Sequence, residues 1–179
     1  MEEAPLGGLS PQVFLRRYWQ KRPLLVRRAL PGFRGVIGKA ALFALAARDD
    51  IESRLVQRGQ ERTGRGGRCW RLTHGPLPAA RFAKAGARDW TLLVNGVNCH
   101  SDAAERLLRR FAFVPRARLD DLMVSYAAPG GGVGPHFDSY DVFLLQGEGR
   151  RIWRLARARH FDLVAGAPLK LIAGFRAEE

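Results

Sequence analysis

The run SYAAPGGGVGPHFDSYDVFLLQGEGRRIW, residues 125–153, decides the fold. It passes from Ser125 through a glycine loop, Gly130 to Pro135, into His136-Phe137-Asp138. The apolar stretch Val142 to Gln146 and a Gly147-Glu148-Gly149 turn then lead to Arg150 and Arg151. No helix-length pattern interrupts residues 121–156, and the glycine clusters divide the region into strand, loop, strand, turn, strand. The expectation is an antiparallel barrel. In a strand, residues i and i+2 project to one face, so the imidazole of His136 and the carboxylate of Asp138 aim at one point. A returning hairpin strand brings Arg151 close to them.

The rest of the chain reads as helices and flanking strands leading up to that barrel. Ser10-Pro11 supplies an N-cap and a first-turn proline for a helix that Pro23 stops. Leu24 to Val26 reads as a short strand, and the alanine-rich run from Lys39 to Ala47 as a second helix. Ile51 to Gln57 and Cys69 to Thr73 read as paired strands joined by an arginine-glycine loop, Gly59 to Gly67. A helical segment at Ala79 to Ala85, a buried strand Trp90 to Val94 and a surface helix Asp102 to Phe111, closed by Pro115, follow. Phe161 to Val164 and Leu169 to Ile172 have strand character. The fold class is α+β: a partial double-stranded β-helix of the cupin or jelly-roll kind with amino-terminal helices. Residues 1–179 form one domain, with 1–120 supplying helices and flanking strands and 121–179 the first barrel strands. A barrel is complete only when its edges are paired, and by that criterion the chain is expected to be cut short on its carboxy-terminal side.

Composition narrows the partners. The 179 residues suffice for a sizeable core, and 46% are hydrophobic, which excludes a disordered chain. The amino terminus lacks a secretory signal and no apolar run approaches membrane-spanning length, so the expected location is the cytoplasm, with no membrane partner. Cys69 and Cys99 stand far apart, without metal-ligand spacing, and read as reduced thiols. The net charge of +13 favours acidic partners, nucleic acid first among them. Arginine outnumbers lysine 26 to 4, a skew that a compositional bias would also produce.

Non-haem iron oxygenases hold Fe(II) with two histidines and one carboxylate on one face, leaving the opposite positions open. His136 and Asp138 form half of such a set. The glycine loop allows close backbone approach just before them, and an arginine on the next strand can grip a carboxylate with two parallel hydrogen bonds. The bland readings are a solvated turn for His136-x-Asp138, a cross-strand ion pair for Arg151 and an ordinary strand serine for Ser125.

Over most of its length the chain resembles the bacterial ribosomal oxygenases, JmjC-type cupin enzymes. The resemblance rests on Asp120 to Ser125, Pro129 to Asp138, Tyr140 to Phe143 and Gln146 to Trp153. It extends to Tyr18 to Pro23, Ser53 to Val56, His74-Gly75-Pro76 and Trp90 to Val94. It implies an Fe(II)- and 2-oxoglutarate-dependent enzyme that hydroxylates an arginine side chain of a large-subunit ribosomal protein. His136 and Asp138 would be iron ligands, Arg151 would bind the distal carboxylate of 2-oxoglutarate, and Ser125 would add a hydrogen bond there. Nothing in the chain matches the family's second iron-binding histidine, and His160, on a loop, does not replace it. Regions that the family uses for dimerisation have no counterpart either. The alternative expectation is a non-catalytic basic cupin-like module binding ribosomal RNA or a ribosomal protein.

Overall fold

The computed structural model describes residues 4–60, 68–157 and 160–178, with residues 60 and 68 described by their backbone alone. Most of the expected arginine-glycine loop therefore lies outside the described residues. Contacts group the chain into two compact units, each drawn from three stretches of sequence. The first comprises Met1–Ile37, Val97–Leu122 and Asp138–Arg150, the second Gly38–Gly96, Met123–Phe137 and Arg151–Glu179.

The second unit is built on a four-stranded antiparallel sheet: β1 (Ser53–Gln60), β2 (Arg68–His74), β3 (Trp90–Val94) and β4 (Val124–Ala127), in the order β2-β1-β3-β4. The register sets Leu55 of β1 opposite Leu92 of β3, and Leu92 opposite Tyr126 of β4. Residues directly opposite share a face, so these three form one row. Trp90 and Tyr126 on that face meet Phe43 of α2 (Lys39–Ala46), which packs on Phe82 of α3 (Ala79–Ala85) with ring centroids 4.3 Å apart. Leu55, Leu92 and Val94 are fully buried, each contributing about 1.5–3 kcal/mol by leaving water. The opposite face carries the row His74, Arg54, Leu93, Ser125, which is the face of functional interest.

The first unit holds α1 (Pro11–Arg17) and α4 (Asp102–Arg109). Ser10 and Ser101 cap them, their hydroxyls accepting from the backbone N–H of Val13 and Ala104 at 3.3 Å each, which satisfies donors that a helix start leaves open. Phe14 of α1 is buried among Phe113, Phe143, Tyr18 and Trp19. Among the described residues, no helix is long and apolar enough to cross a membrane.

Several expected strands are absent. Leu24 to Val26 joins no ladder; Val26 instead packs against Gly7. Val142 to Gln146 and Arg150 to Trp153 also lie outside any strand, and no hairpin forms across Gly147. Phe143 is instead drawn into the aromatic cluster around Phe14, and Gly147 lies against the backbone of Gly35. A side-chain pattern favours a strand, but only a neighbouring backbone completes one, and among the described residues none runs beside these. Phe161 to Val164 and Leu169 to Ile172 meet in a single antiparallel bridge, Leu163 to Ile172. The first helix ends at Arg17, well before Pro23, and Gln20 turns to a positive φ of 55°.

Candidate functional site

The site is built from β4 and the loop that follows it. Ala128 N–H donates to the Trp90 carbonyl at 3.0 Å and Asp89 N–H to the Pro129 carbonyl at 2.9 Å, so the chain leaves β4 bound to the end of β3. Arg58 of β1 closes this corner by pairing with the Asp89 carboxylate at 2.5 Å. Gly131 lies directly against the Trp90 carbonyl, where a Cβ would collide with backbone. Gly134, at φ +79°, rests on Leu171 and the Trp70 ring, a conformation that L side chains adopt at a cost of roughly 1–2 kcal/mol. The Pro135 carbonyl accepts from Ile172 N–H at 2.8 Å. The glycine loop is thus held at both ends before it reaches His136.

His136 is exposed and lies outside any strand, so strand alternation is not what places it. Its Nδ1 is 2.8 Å from the Gly134 carbonyl. A carbonyl only accepts, so Nδ1 carries the hydrogen, and in the neutral ring the lone pair resides on Nε2. Metal-binding histidines are commonly oriented in this way, one nitrogen anchored to a carbonyl and the other presented to the ion. Asp138, also exposed, is assigned to the first unit. His160 is exposed, and the described residues contain no group of three or more His, Cys, Asp or Glu that could hold a metal ion.

Ser125 and Arg151 are brought together. An Arg151 Nη1 hydrogen is donated to Ser125 Oγ at 3.1 Å, and the guanidinium lies over the Trp153 ring, 5.8 Å from its centroid. Although the residue remains accessible, its guanidinium is desolvated enough that burial lowers the pKa from the usual arginine value. Arg151 lies outside any strand, and no ion pair engages it among the described residues. A partly desolvated guanidinium hydrogen-bonded only to a neutral hydroxyl retains strong donors for an anion. Because Ser125 Oγ accepts from Arg151, its own hydrogen is left to donate as well.

Arg54, one strand over from Leu93 in the Ser125 row, is a residue the sequence reading missed. Its Nη2 donates to Asn95 Oδ1 at 3.2 Å and approaches Met123 Sδ at 3.9 Å, while Nε is buried without a hydrogen-bond partner. The guanidinium therefore ties the ends of β3 and β4, two residues before Ser125. Its alternation with buried Leu55 marks it as facing away from the aromatic core; its reach to β4 depends on a register that no local pattern contains.

Comparison with known proteins matches residues 106–178 to the JmjC domain. The chain is 42% identical over 166 residues to the ribosomal protein uL16 3-hydroxylase of Escherichia coli (strain K12), covering 89% of this chain and 42% of that protein. A probable ribosomal oxygenase of Haemophilus influenzae is 38% identical over 149 residues, covering 83% of this chain and 35% of its own length. The X-ray structure of E. coli ycfD superposes with a TM-score of 0.85 at 37% identity, covering 99% of this chain and 45% of that one. A structure of YcfD in complex with cobalt and 2-oxoglutarate superposes at 0.78, also at 37% identity, covering 96% and 42%. The chain spans less than half the length of these relatives.

Proposed function

We propose that this chain, a sequence and structural relative of the bacterial ribosomal oxygenases with a JmjC domain at residues 106–178, serves Fe(II)- and 2-oxoglutarate-dependent hydroxylation of a ribosomal protein. The substrate atom would lie on an arginine side chain of a large-subunit protein, and the cytoplasm would be the place of action. The observation that carries this reading is the Arg151 to Ser125 hydrogen bond, 3.1 Å long, on a guanidinium that no carboxylate neutralises among the described residues.

Two of the three protein ligands of such an iron site would come from this chain: a histidine whose Nδ1 is committed to the Gly134 carbonyl, and a carboxylate two residues later. His136 Nε2 and the Asp138 carboxylate would hold the ion. Bound Fe(II) and 2-oxoglutarate supply the oxidation, in which one atom of O2 goes to the substrate and the other to succinate as CO2 leaves. The chain's own residues bind and orient. Arg151 would grip the distal carboxylate of 2-oxoglutarate through two parallel N–H donors, and the Ser125 hydroxyl would donate to the same group. Arg54 would steady β4 beneath them. Residues 1–179 are read as one JmjC and cupin-type domain, and a homodimer is expected only of full-length members of the family. A contact with ribosomal RNA is a separate proposal, resting on other residues.

The test is incubation of the chain with Fe(II), 2-oxoglutarate and a large-subunit ribosomal protein preparation, reading succinate release and a one-oxygen mass gain on an arginine peptide. Both are expected, and both are expected to vanish with His136→Ala. Succinate formation that survives His136→Ala would contradict the proposed metal ligand.

A further inference from the structure

We propose that the surface formed by residues 16–34 binds the phosphate backbone of RNA. This goes beyond the oxygenase reading and uses none of its residues. The segment carries six arginines and Lys21, and no acidic residue occurs anywhere from position 4 to position 48. An arginine-rich composition accounts for many arginines, but it does not clear carboxylates from forty-five consecutive residues of a chain that has 17 in 179. All seven basic residues are exposed. None enters an ion pair among the described residues, whereas Arg48, Arg58, Arg109 and Arg116 elsewhere are paired.

The local structure keeps these cations spread and outward. Arg16 and Arg17 end α1, and Lys21 Nζ donates to the Arg16 carbonyl. The Arg22 guanidinium stacks 4.5 Å above the Tyr18 ring, which orients its donors. Arg27 and Arg28 follow on irregular backbone, Arg28 at φ 54°. The result is a run of positive charge with no carboxylate of its own. Asp141, which accepts from the Gln20 amide at 3.2 Å, and Glu148, in the cleft with Gly32, Phe33 and Arg34, border it without pairing with its cations among the described residues. The excess of positive charge is the electrostatic footprint of a polyanion site.

Phosphate is favoured over the other anionic surfaces. Six of the seven are guanidinium groups, whose planar fork matches phosphate oxygens two at a time. An anionic membrane would also demand an apolar face to insert, yet the apolar residues of α1 are occupied: Phe14 is buried against Phe113 and Phe143. Of this segment's large apolar side chains only Leu25, 72% exposed, stands out in solvent.

Fluorescence anisotropy with a labelled RNA hairpin across a salt series tests the proposal. Two quadruple variants are compared: Arg16→Gln, Arg17→Gln, Arg27→Gln and Arg28→Gln on this surface, and Arg71→Gln, Arg81→Gln, Lys84→Gln and Arg88→Gln, equally exposed in the second unit. Circular dichroism melts establish that both remain folded. The first set is expected to weaken RNA binding at least tenfold and to flatten the slope of log K against log salt by about three; the second is expected to change both far less. Equal losses from the two sets would overturn the proposal, as would no loss from the first. Wild-type binding to polyglutamate or to phosphatidylserine vesicles as tight as to RNA would overturn it too. Metal-dependent 2-oxoglutarate binding, read on the first variant, separates this outcome from any failure of the oxygenase reading.

Discussion

Arg151 and Ser125 carry the anion-binding claim, and their energetic weights differ. A hydrogen bond to a charged group is worth about 1.5–3 kcal/mol and a neutral one about 0.5–1.5 kcal/mol. Arg151→Met is therefore expected to weaken 2-oxoglutarate binding by roughly ten- to a hundredfold at 1.4 kcal/mol per decade, and Ser125→Ala only by several fold. Calorimetry with a divalent metal present reads both, and equal losses would contradict the assigned roles. Glu105 provides a second test at this scale. Hydrogen bonds from Arg109 lead, with Arg116 adding to them, in holding its carboxyl below the usual glutamate range. A carboxylate whose pKa falls on folding stabilises the fold above its unfolded pKa, and that contribution is lost as pH falls through the folded value. Glu105→Gln should therefore lower the melting temperature at neutral pH and leave it little changed in acid. Parallel pH profiles for variant and wild type would show that the pair contributes nothing measurable.

At the scale of the element, the glycine loop and the sheet beneath it define the site. Gly131 faces the Trp90 carbonyl, a backbone atom that cannot swing aside, and Gly134 combines positive φ with contact to Leu171. Gly131→Ala and Gly134→Ala should each cost about 1–3 kcal/mol, whereas Gly132→Ala, which points into open space, should stay within about 0.5 kcal/mol. Thermal melts of the three variants check this ordering. The elements also show what the sequence could reveal. The third helix and the strand Trp90–Val94 match expectation to the residue, because their patterns are local and Pro78 and Gly86 bound the helix. The segments 142–146 and 150–153 carry equally good strand patterns and form none, because a ladder requires a second backbone. Ser125 and Arg151 were named through the resemblance, and the structure joins them by one hydrogen bond that no local pattern contains. Arg54 was not, since its link to Met123 is created by the β1-β3-β4 register.

Across the whole molecule the balance of exposed surface is unusual. Ile152 is 80% exposed, Leu144 57% and Trp153 47%, alongside Tyr140, Val142 and Leu155. Where exposed apolar side chains adjoin one another, as Ile152, Trp153 and Leu155 do in sequence, they mark a binding site or an aggregation liability. The folded chain is expected to bind the dye ANS, and Ile152→Thr with Leu155→Thr should reduce that fluorescence without lowering the melting temperature. Undiminished fluorescence would mean that the dye reports another region. The central claim, that His136, Asp138, Arg151 and Ser125 receive a metal ion and 2-oxoglutarate, is tested most directly by titrating 2-oxoglutarate into the chain with and without cobalt. The account predicts binding that requires the metal and is lost in both His136→Ala and Arg151→Met. Binding of equal strength without cobalt, or in either variant, would contradict it.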